Sequence, residues 1–319
     1  MINYIDQFPK KSILVAGDVM LDLYIRGEVE RISPEAPVLV VLETSRQMAL
    51  GGAANVANNI KSLGGKVSLL GVTGKDSERE MIKKACRSSK INFHLVTDPG
   101  RMTTTKTRAL ARHHHLLRID RENKISLSPA VEKKVISEIK NLPNHDLVVI
   151  SDYNKGFLTK NIVQALEKRF GKNKIIANFK PANSYLFKNI LALTHNLKEA
   201  KEITNLTATD NKSAEKVVVA LAKNFSSSII LTRGDQGMTI WDDNGVHHVP
   251  ARAAKVMDVT GASDTVISVS ALMLACKSSL LEAAKLANYA AGLVVGLEGT
   301  ATISNDYLKK NILNEKENI

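Results

Sequence analysis

Near the carboxyl end of the sequence, Asp258-Val-Thr-Gly-Ala-Ser-Asp264-Thr265 runs straight into the apolar stretch Val266 to Cys276. Asp258, Thr260 and Gly261 are turn and cap residues, while Val266, Val269, Leu272, Met273 and Cys276 recur at helical spacing. The spacing predicts a buried helix whose start holds Gly261, Ala262, Ser263 and Asp264. Unpaired N–H groups in a first turn, with the positive end of the helix dipole, form an anion site. A second negative charge there is awkward unless it serves chemistry. Asp264 could take a proton from a hydroxyl while the amides hold a phosphoryl group. The competing reading is an aspartate in the first turn of an ordinary core helix, and this segment alone does not separate the two.

Other residues of suitable type follow apolar runs. Gly17-Asp18-Val-Met-Leu-Asp22 offers two carboxylates that could accept hydrogen bonds from sugar hydroxyls, or could mark an ordinary turn. In Leu50-Gly-Gly-Ala-Ala-Asn55, Gly51 and Gly52 permit close backbone approach to a ligand and Asn55 adds a donor and an acceptor. Tight packing at a helix start would call for the same residues. Asp152 and Lys155, in Ser151-Asp-Tyr-Asn-Lys-Gly156, would lie on the ligand side of a strand or in a solvated turn. Asn196 and Glu199 share one helical face and could hold waters of a Mg²⁺, or could be an N-cap and a first-turn glutamate. Thr232-Arg-Gly234-Asp-Gln-Gly237 could wrap a nucleotide with its backbone. Neither a P-loop nor a Gly-x-Gly-x-x-Gly turn is present. Adjacent residues of His113-His114-His115 would point to opposite faces of a strand, which argues against a metal site.

The elements that must position these residues alternate. Ile13 to Ala16, Val67 to Leu70, Leu147 to Ile150, Lys174 to Ala177, Leu191 to Thr194 and Ser228 to Leu231 read as buried strands. Amphipathic stretches separate them, including Ala53 to Leu63, Glu78 to Ser88 and Lys160 to Phe170. This predicts an α/β fold, a mostly parallel sheet with helices on both faces, and ligands beyond the carboxyl ends of its strands. Two segments, about 23–48 and 103–120, lack helices and read as a small β-sheet lid within a single domain of residues 1–319. Alternation puts Lys106, Arg108, Arg112, Arg118 and Asp120 on one lid face. A face of cations such as Lys106 and Arg108 suits an anionic ligand group. A solvated charged edge is the alternative. The polar tail Lys309 to Ile319 is expected to fray.

Composition narrows the partners. The formal charge of +12 (44 basic less 32 acidic residues) favours anionic ligands. Dispersed Lys and Arg with 4% aromatic residues argue against nucleic acid. Two cysteines without a framework, no signal-peptide pattern and no run long enough for a membrane span lead to an expectation of a cytoplasmic protein.

In their order along the chain, Gly51-Gly52 with Asn55, Asn196-x-x-Glu199, Thr232-x-Gly234-x-x-Gly237 and Asp258-x-Thr-Gly-Ala-x-Asp264 resemble the ribokinase-type (phosphofructokinase-B) family of sugar kinases. Gly17 to Asp22, Arg31 to Val38, Leu50 to Ala57, Ser151 to Gly156 and Asp258 to Gly261 are similar to one subgroup. That subgroup phosphorylates D-glycero-D-manno-heptose 7-phosphate at its anomeric hydroxyl, toward ADP-heptose and the lipopolysaccharide core. The resemblance implies a ribokinase-like fold and an ATP-dependent phosphotransferase using Mg²⁺, with a monovalent cation near Asp258 and Gly299 in related kinases. It implies that Asp264 is the catalytic base and that Gly261, Ala262 and Ser263 form the anion hole. Asn196 and Glu199 would place Mg²⁺ and the ATP phosphates, Glu199 reaching the metal through water, and Thr232, Gly234, Gly237 and Asn288 would line the nucleotide. Asp18, Asp22, Gly52, Asn55, Asp152 and Lys155 would hold the sugar, with Lys106 and Arg108 as lid cations for its phosphate, at the end far from the attacking hydroxyl. A homodimer through exposed lid strands is expected. The nucleotidyltransferase fused to many relatives is not, since little sequence follows Ser304. The sequence departs from the pattern at Ser263, where the family has glycine, and at Asn178-Phe179-Lys180, where it has Asp-Pro-Lys. The rival readings are a same-fold kinase for another sugar or nucleoside, and a binding protein without turnover.

Overall fold

The apolar runs form strands because both of their faces are covered. In β1 (Ser12–Gly17), Ile13 and Val15 enter one core and Leu14 and Ala16 the other, the alternation that a pleated strand imposes. The computed structural model describes residues 1–111, 114–252, 256–297 and 299–317. Arg112 of the lid cations and His113 of the triple histidine lie outside these residues.

The main sheet continues with β4 (Lys66–Thr73), β5 (Asn92–Thr97), β8 (Leu147–Ser151), β9 (Ile175–Asn178), β10 (Ala192–Asn196), β11 (Ser228–Thr232), β12 (Met238–Asp242) and β13 (Gly245–Val249). Its order is β13-β12-β11-β10-β9-β8-β1-β4-β5, parallel from β11 to β5, with β12 and β13 as an antiparallel edge. Helices α1 (Ile2–Ile5), α2 (Ala53–Ser62), α3 (Ser77–Ser88), α4 (Pro129–Asn141) and α5 (Lys160–Phe170) come from the first half of the chain. The second half supplies α6 (Leu197–Thr204), α7 (Asn211–Phe225), α8 (Ala262–Ala275), α9 (Leu280–Val294) and α10 (Asn305–Glu317). One face of the sheet is covered by α2, α8 and α9, the other by α4, α5 and α7. The fold is the α/β arrangement expected, a mostly parallel sheet between two helix layers with a small second sheet. The tail corrects an expectation: it does not fray at Lys309 but is helical to Glu317, because Leu308 and Ile312 pack into the core.

The second sheet is β3-β2-β6-β7, from β2 (Val19–Ile32), β3 (Leu39–Gly52), β6 (Thr104–Ala111) and β7 (His114–Arg121). Its register puts Asp22 opposite Lys106, Tyr24 opposite Arg108 and Arg108 opposite Arg118. One face therefore carries Asp22, Tyr24, Lys106, Arg108, Arg118 and Asp120. The other exposes Met48, Leu117 and Ile119. Gly52 ends β3 with φ +56, and a Cβ there would stand 2.5 Å from the Asp18 carbonyl oxygen. Only glycine allows the lid to turn this sharply into α2.

Candidate active site

The carboxyl ends of β1 and β8, the first turn of α2 and the first turn of α8 meet at one point. Gly261 is the N-cap of α8, so Ala262, Ser263 and Asp264 form its opening turn, with Ser263 exposed and Asp264 buried. N–H groups of a first turn have no acceptor one turn earlier in the helix. The Ala262 N–H reaches the Val259 carbonyl at 3.2 Å.

Both oxygens of Asp264 receive donors from elsewhere in the chain. Asn55 Nδ2 donates to Oδ2 at 2.7 Å and the Tyr153 hydroxyl to Oδ1 at 2.6 Å. Asn59 donates to Asn55 Oδ1 at 3.3 Å, which leaves the Asn55 amide nitrogen for Asp264. Thr265 donates in turn to Asn59 at 3.1 Å. Burial pushes the Asp264 carboxyl up to about 6, against the two hydrogen bonds, with Asp22 raising and Lys180 lowering it. A carboxylate in this range is largely ionised at neutral pH yet basic enough to take a proton in a transition state.

Asp18 and Asp152 are buried as well and hold a loop. Asp18 accepts N–H groups of Tyr153 (2.8 Å), Lys155 (3.0 Å) and Phe157 (3.2 Å). Asp152 accepts the Asn154 N–H at 2.8 Å, the Lys180 N–H at 3.0 Å and the Asn183 amide at 2.9 Å. These two carboxylates clamp the segment after β8, which carries Tyr153. Asp22 instead lies in the lid, where Arg108 donates to it at 2.5 Å while stacking 5.3 Å from the Tyr24 ring centroid. Lys106 pairs with Asp120 at 3.0 Å and Glu122 at 3.6 Å, and Lys155 reaches Glu122 at 2.6 Å.

Asn196 and Glu199 form a capping box at the start of α6. Glu199 also pairs with Lys180 at 2.5 Å. Burial would raise its carboxyl, but His195, Lys180 and the Asn196 N–H outweigh burial and hold it down at about 2. The pair lines a cleft of about 360 Å³ together with Tyr153, Lys124, Lys155, Lys180 and Lys198. Four lysines against Glu199 and Glu202 leave the cleft lining net positive, which suits an anion. β10 and β11 place Asn196 beside Thr232, whose hydroxyl donates to the His195 carbonyl at 3.3 Å. Gly234 and Gly237 form the β11–β12 turn, where a Cβ on Gly237 would stand 2.1 Å from the Val249 carbonyl oxygen. Asn288 donates to the Pro250 carbonyl at 2.8 Å, on α9. Asp258 accepts N–H groups of Thr260 (2.8 Å) and Gly299 (3.0 Å).

The structure thus brings Asn55 to Asp264, Arg108 to Asp22, and Asn196 and Glu199 to Lys180. Two members of this constellation, Tyr153 and Lys180, did not stand out as site residues in the sequence. Tyr153 sits between Asp152 and Asn154 like any turn residue, and the only available signal was its place just beyond the carboxyl end of a buried strand.

The profile of the pfkB family carbohydrate kinases matches residues 10–306. The chain belongs to this family. It is therefore a phosphotransferase that acts on a sugar hydroxyl, and kinases of the family use ATP with Mg²⁺. The bifunctional protein HldE of Sulfurimonas denitrificans is 38% identical over 297 residues, covering 92% of this chain and 62% of that protein. HldE of Desulfatibacillum aliphaticivorans is 39% identical over 311 residues, 96% of this chain and 64% of that one. The chain spans a little under two thirds of the length of these relatives. Among solved structures, the tetrameric inhibited form of Escherichia coli phosphofructokinase-2 superposes with a TM-score of 0.79 at 17% identity, over 96% of this chain and 99% of that one. Arabidopsis thaliana ribokinase, complexed with ribose and ATP, gives 0.74 at 17% identity over 94% and 98%. Both likenesses are of the fold. Among the described residues no helix is long and apolar enough to cross a membrane.

Proposed function

We propose that the chain transfers the γ-phosphoryl group of ATP to the anomeric hydroxyl of a heptose 7-phosphate, in the cytoplasm, giving a 1,7-bisphosphate for ADP-heptose and lipopolysaccharide core synthesis. The observation that carries the reading is the buried Asp264 carboxylate, poised near neutrality in the opening turn of α8 and beside a lysine-lined cleft. Asp264 takes the proton of the acceptor hydroxyl as its oxygen forms a bond to the γ-phosphorus and the bond to ADP breaks. The first-turn amides of α8 meet the charge that develops on the phosphoryl oxygens. Mg²⁺ bound with ATP would neutralise the phosphates. Glu199, ionised far below neutral pH and facing the cleft, suits a role in holding its waters beside Asn196. Thr232, Gly234, Gly237 and Asn288 take the nucleotide side. Gly52, Asn55 and Asp22 take the sugar, with Asp18, Asp152 and Lys155 shaping the loop beneath it. Lys106, paired with Asp120 and Glu122, and Arg108, paired with Asp22, are the lid cations that would turn to its phosphate.

What supports the heptose is the set of subgroup segments in the sequence, together with the similarity to the HldE proteins. A coupled ADP-release assay across heptose 7-phosphate, fructose 6-phosphate, ribose and nucleosides tests it. Preference for any other acceptor overturns the heptose, and ATP binding without turnover on any acceptor overturns the kinase. A monovalent cation near Asp258 and Gly299, which potassium-bound phosphofructokinase-2 of Escherichia coli brings to mind, would show as higher turnover in potassium than in lithium.

Ser263 bears on whether the native chain is a working enzyme. Its side chain is exposed, so the added Cβ leaves the turn's amides where glycine would put them. Ser263→Gly should change kcat by less than about tenfold, roughly 1.4 kcal/mol. A much larger gain in steady-state kinetics would mean that the native chain binds ATP but hardly turns over.

The outward lid face, with Met48, Leu117 and Ile119 exposed, supports a homodimer formed by two lids. Leu117→Lys should yield monomers in sedimentation velocity where the native chain sediments as a dimer. An unchanged dimer would place the interface elsewhere.

A further inference from the structure

Asp264 is buried and carries a donor on each oxygen, Asn55 on one and Tyr153 on the other. The Tyr153 contact is built with care for position. Its own N–H is fixed to Asp18 at 2.8 Å, and the next residue, Asn154, turns with φ +55 while its N–H is fixed to Asp152 at 2.8 Å. Two buried carboxylates thus hold the backbone on both sides of the tyrosine, and Lys180 Nζ lies 5.4 Å from its ring centroid. Such a loop delivers the hydroxyl with little rotational freedom. The phenol is pushed well above its ordinary range by burial and by Asp264, so it stays protonated and acts as a donor.

From this geometry we propose, resting on the kinase reading above, that Tyr153 is a positioning residue for the reaction. Its hydroxyl holds the Asp264 carboxylate ionised and aimed, so the acceptor hydroxyl meets a base that neither rotates nor retains a proton. A neutral carboxyl in apolar surroundings is the state that burial alone would favour. Hydrogen bonds to an ionised group are the strong ones, and this one is given only while the carboxylate is charged. The other charged groups facing Asp264 are Asp22 from β2, which opposes ionisation, and Lys180 after β9, which favours it. Glu199 and Asp22 act on the phenol itself.

The test is Tyr153→Phe, which keeps the ring and deletes only the donor. Two readouts are taken: the pH dependence of kcat/KM, and the titration of the Asp264 ¹³C-carboxyl resonance in the ligand-free chain. The resonance is assigned by its loss in Asp264→Asn, which separates it from Asp18, another buried carboxyl held up to about 6. The midpoint of the Asp264 resonance and the acid limb of the rate profile should both move up by about one pH unit. The consequence is a severalfold loss of kcat/KM at pH 6 that closes by pH 8. A purely structural tyrosine would instead lower the rate equally at every pH and leave the midpoint in place, which overturns the proposal. If the midpoint rises in a chain that phosphorylates no sugar, the hold of Tyr153 on the Asp264 carboxylate stands, and the kinase reading falls together with the positioning role that rests on it.

Discussion

Replacing Asp264 with asparagine should lower kcat by about 10²- to 10⁴-fold, the range that general-base catalysis contributes. The substitution keeps the shape of the side chain and removes its basicity. Its carbonyl can still accept from one neighbour, and the Tyr153 hydroxyl can turn to accept from the new amide, so the fold around α8 should survive. ATP affinity should change little, since Asp264 meets the acceptor and not the nucleotide in this reading. The pH profile adds a second mark. With the Asp264 carboxyl at about 6, native kcat/KM should decline as the pH falls through 6, and the residual rate of the variant should not. Steady-state kinetics from pH 5 to 8, with calorimetric ATP titrations, would show both. Near-normal turnover in the variant would end the base assignment.

Asp18→Ala should act on stability first. The carboxylate is 4% exposed and accepts three backbone N–H groups, of Tyr153, Lys155 and Phe157. Each buried donor left without an acceptor costs about 1–3 kcal/mol, and such costs are not additive. Relief of a buried negative charge offsets part of the loss, so about 3 kcal/mol is expected, or roughly 5 °C in Tm for a chain of this length. Burial, and then Asp152 nearby, raise the Asp18 carboxyl to about 6. A carboxyl raised in the folded state contributes stability that is full below its unfolded pKa and is lost as the pH climbs through the folded one. The stability gap between native chain and variant should therefore widen on going from pH 7 to pH 5. Denaturant melts at the two pH values measure this. A gap that is negligible at both would return Asp18 to the role of a sugar contact with no structural duty.

These two carboxylates also mark how much of the site was legible in the residues. Asp264 was, because a turn signal, a small-residue start and an apolar run of helical spacing coincide within a few positions. Local chemistry of that kind is written in consecutive residues. Asp18 and Asp152 were legible only as carboxylates at strand ends. Their sequence neighbourhood looks the same whether the oxygens face a ligand or the N–H groups of a loop. The distinction depends on Tyr153, Lys155 and Phe157 folding back over Asp18, and on Asn183 and Lys180 reaching Asp152. The cations of the lid are similar. Alternation placed Lys106 and Arg108 on one face, but the pairing of β2 with β6 decided that Arg108 would meet Asp22.

By itself the sequence determined the alternation of strands and helices, the parallel sheet that follows from it, and the helix start that bears Asp264. Each of these rests on periodicity and capping over short spans, where the physics is local. The tertiary structure alone decided what surrounds that carboxylate. Asn55 lies 209 positions from Asp264 and Tyr153 lies 111, so no local pattern joins them. They meet because the packing of α2 against α8, and the crossovers of a parallel sheet, carry the carboxyl ends of β1 and β8 to the start of α8.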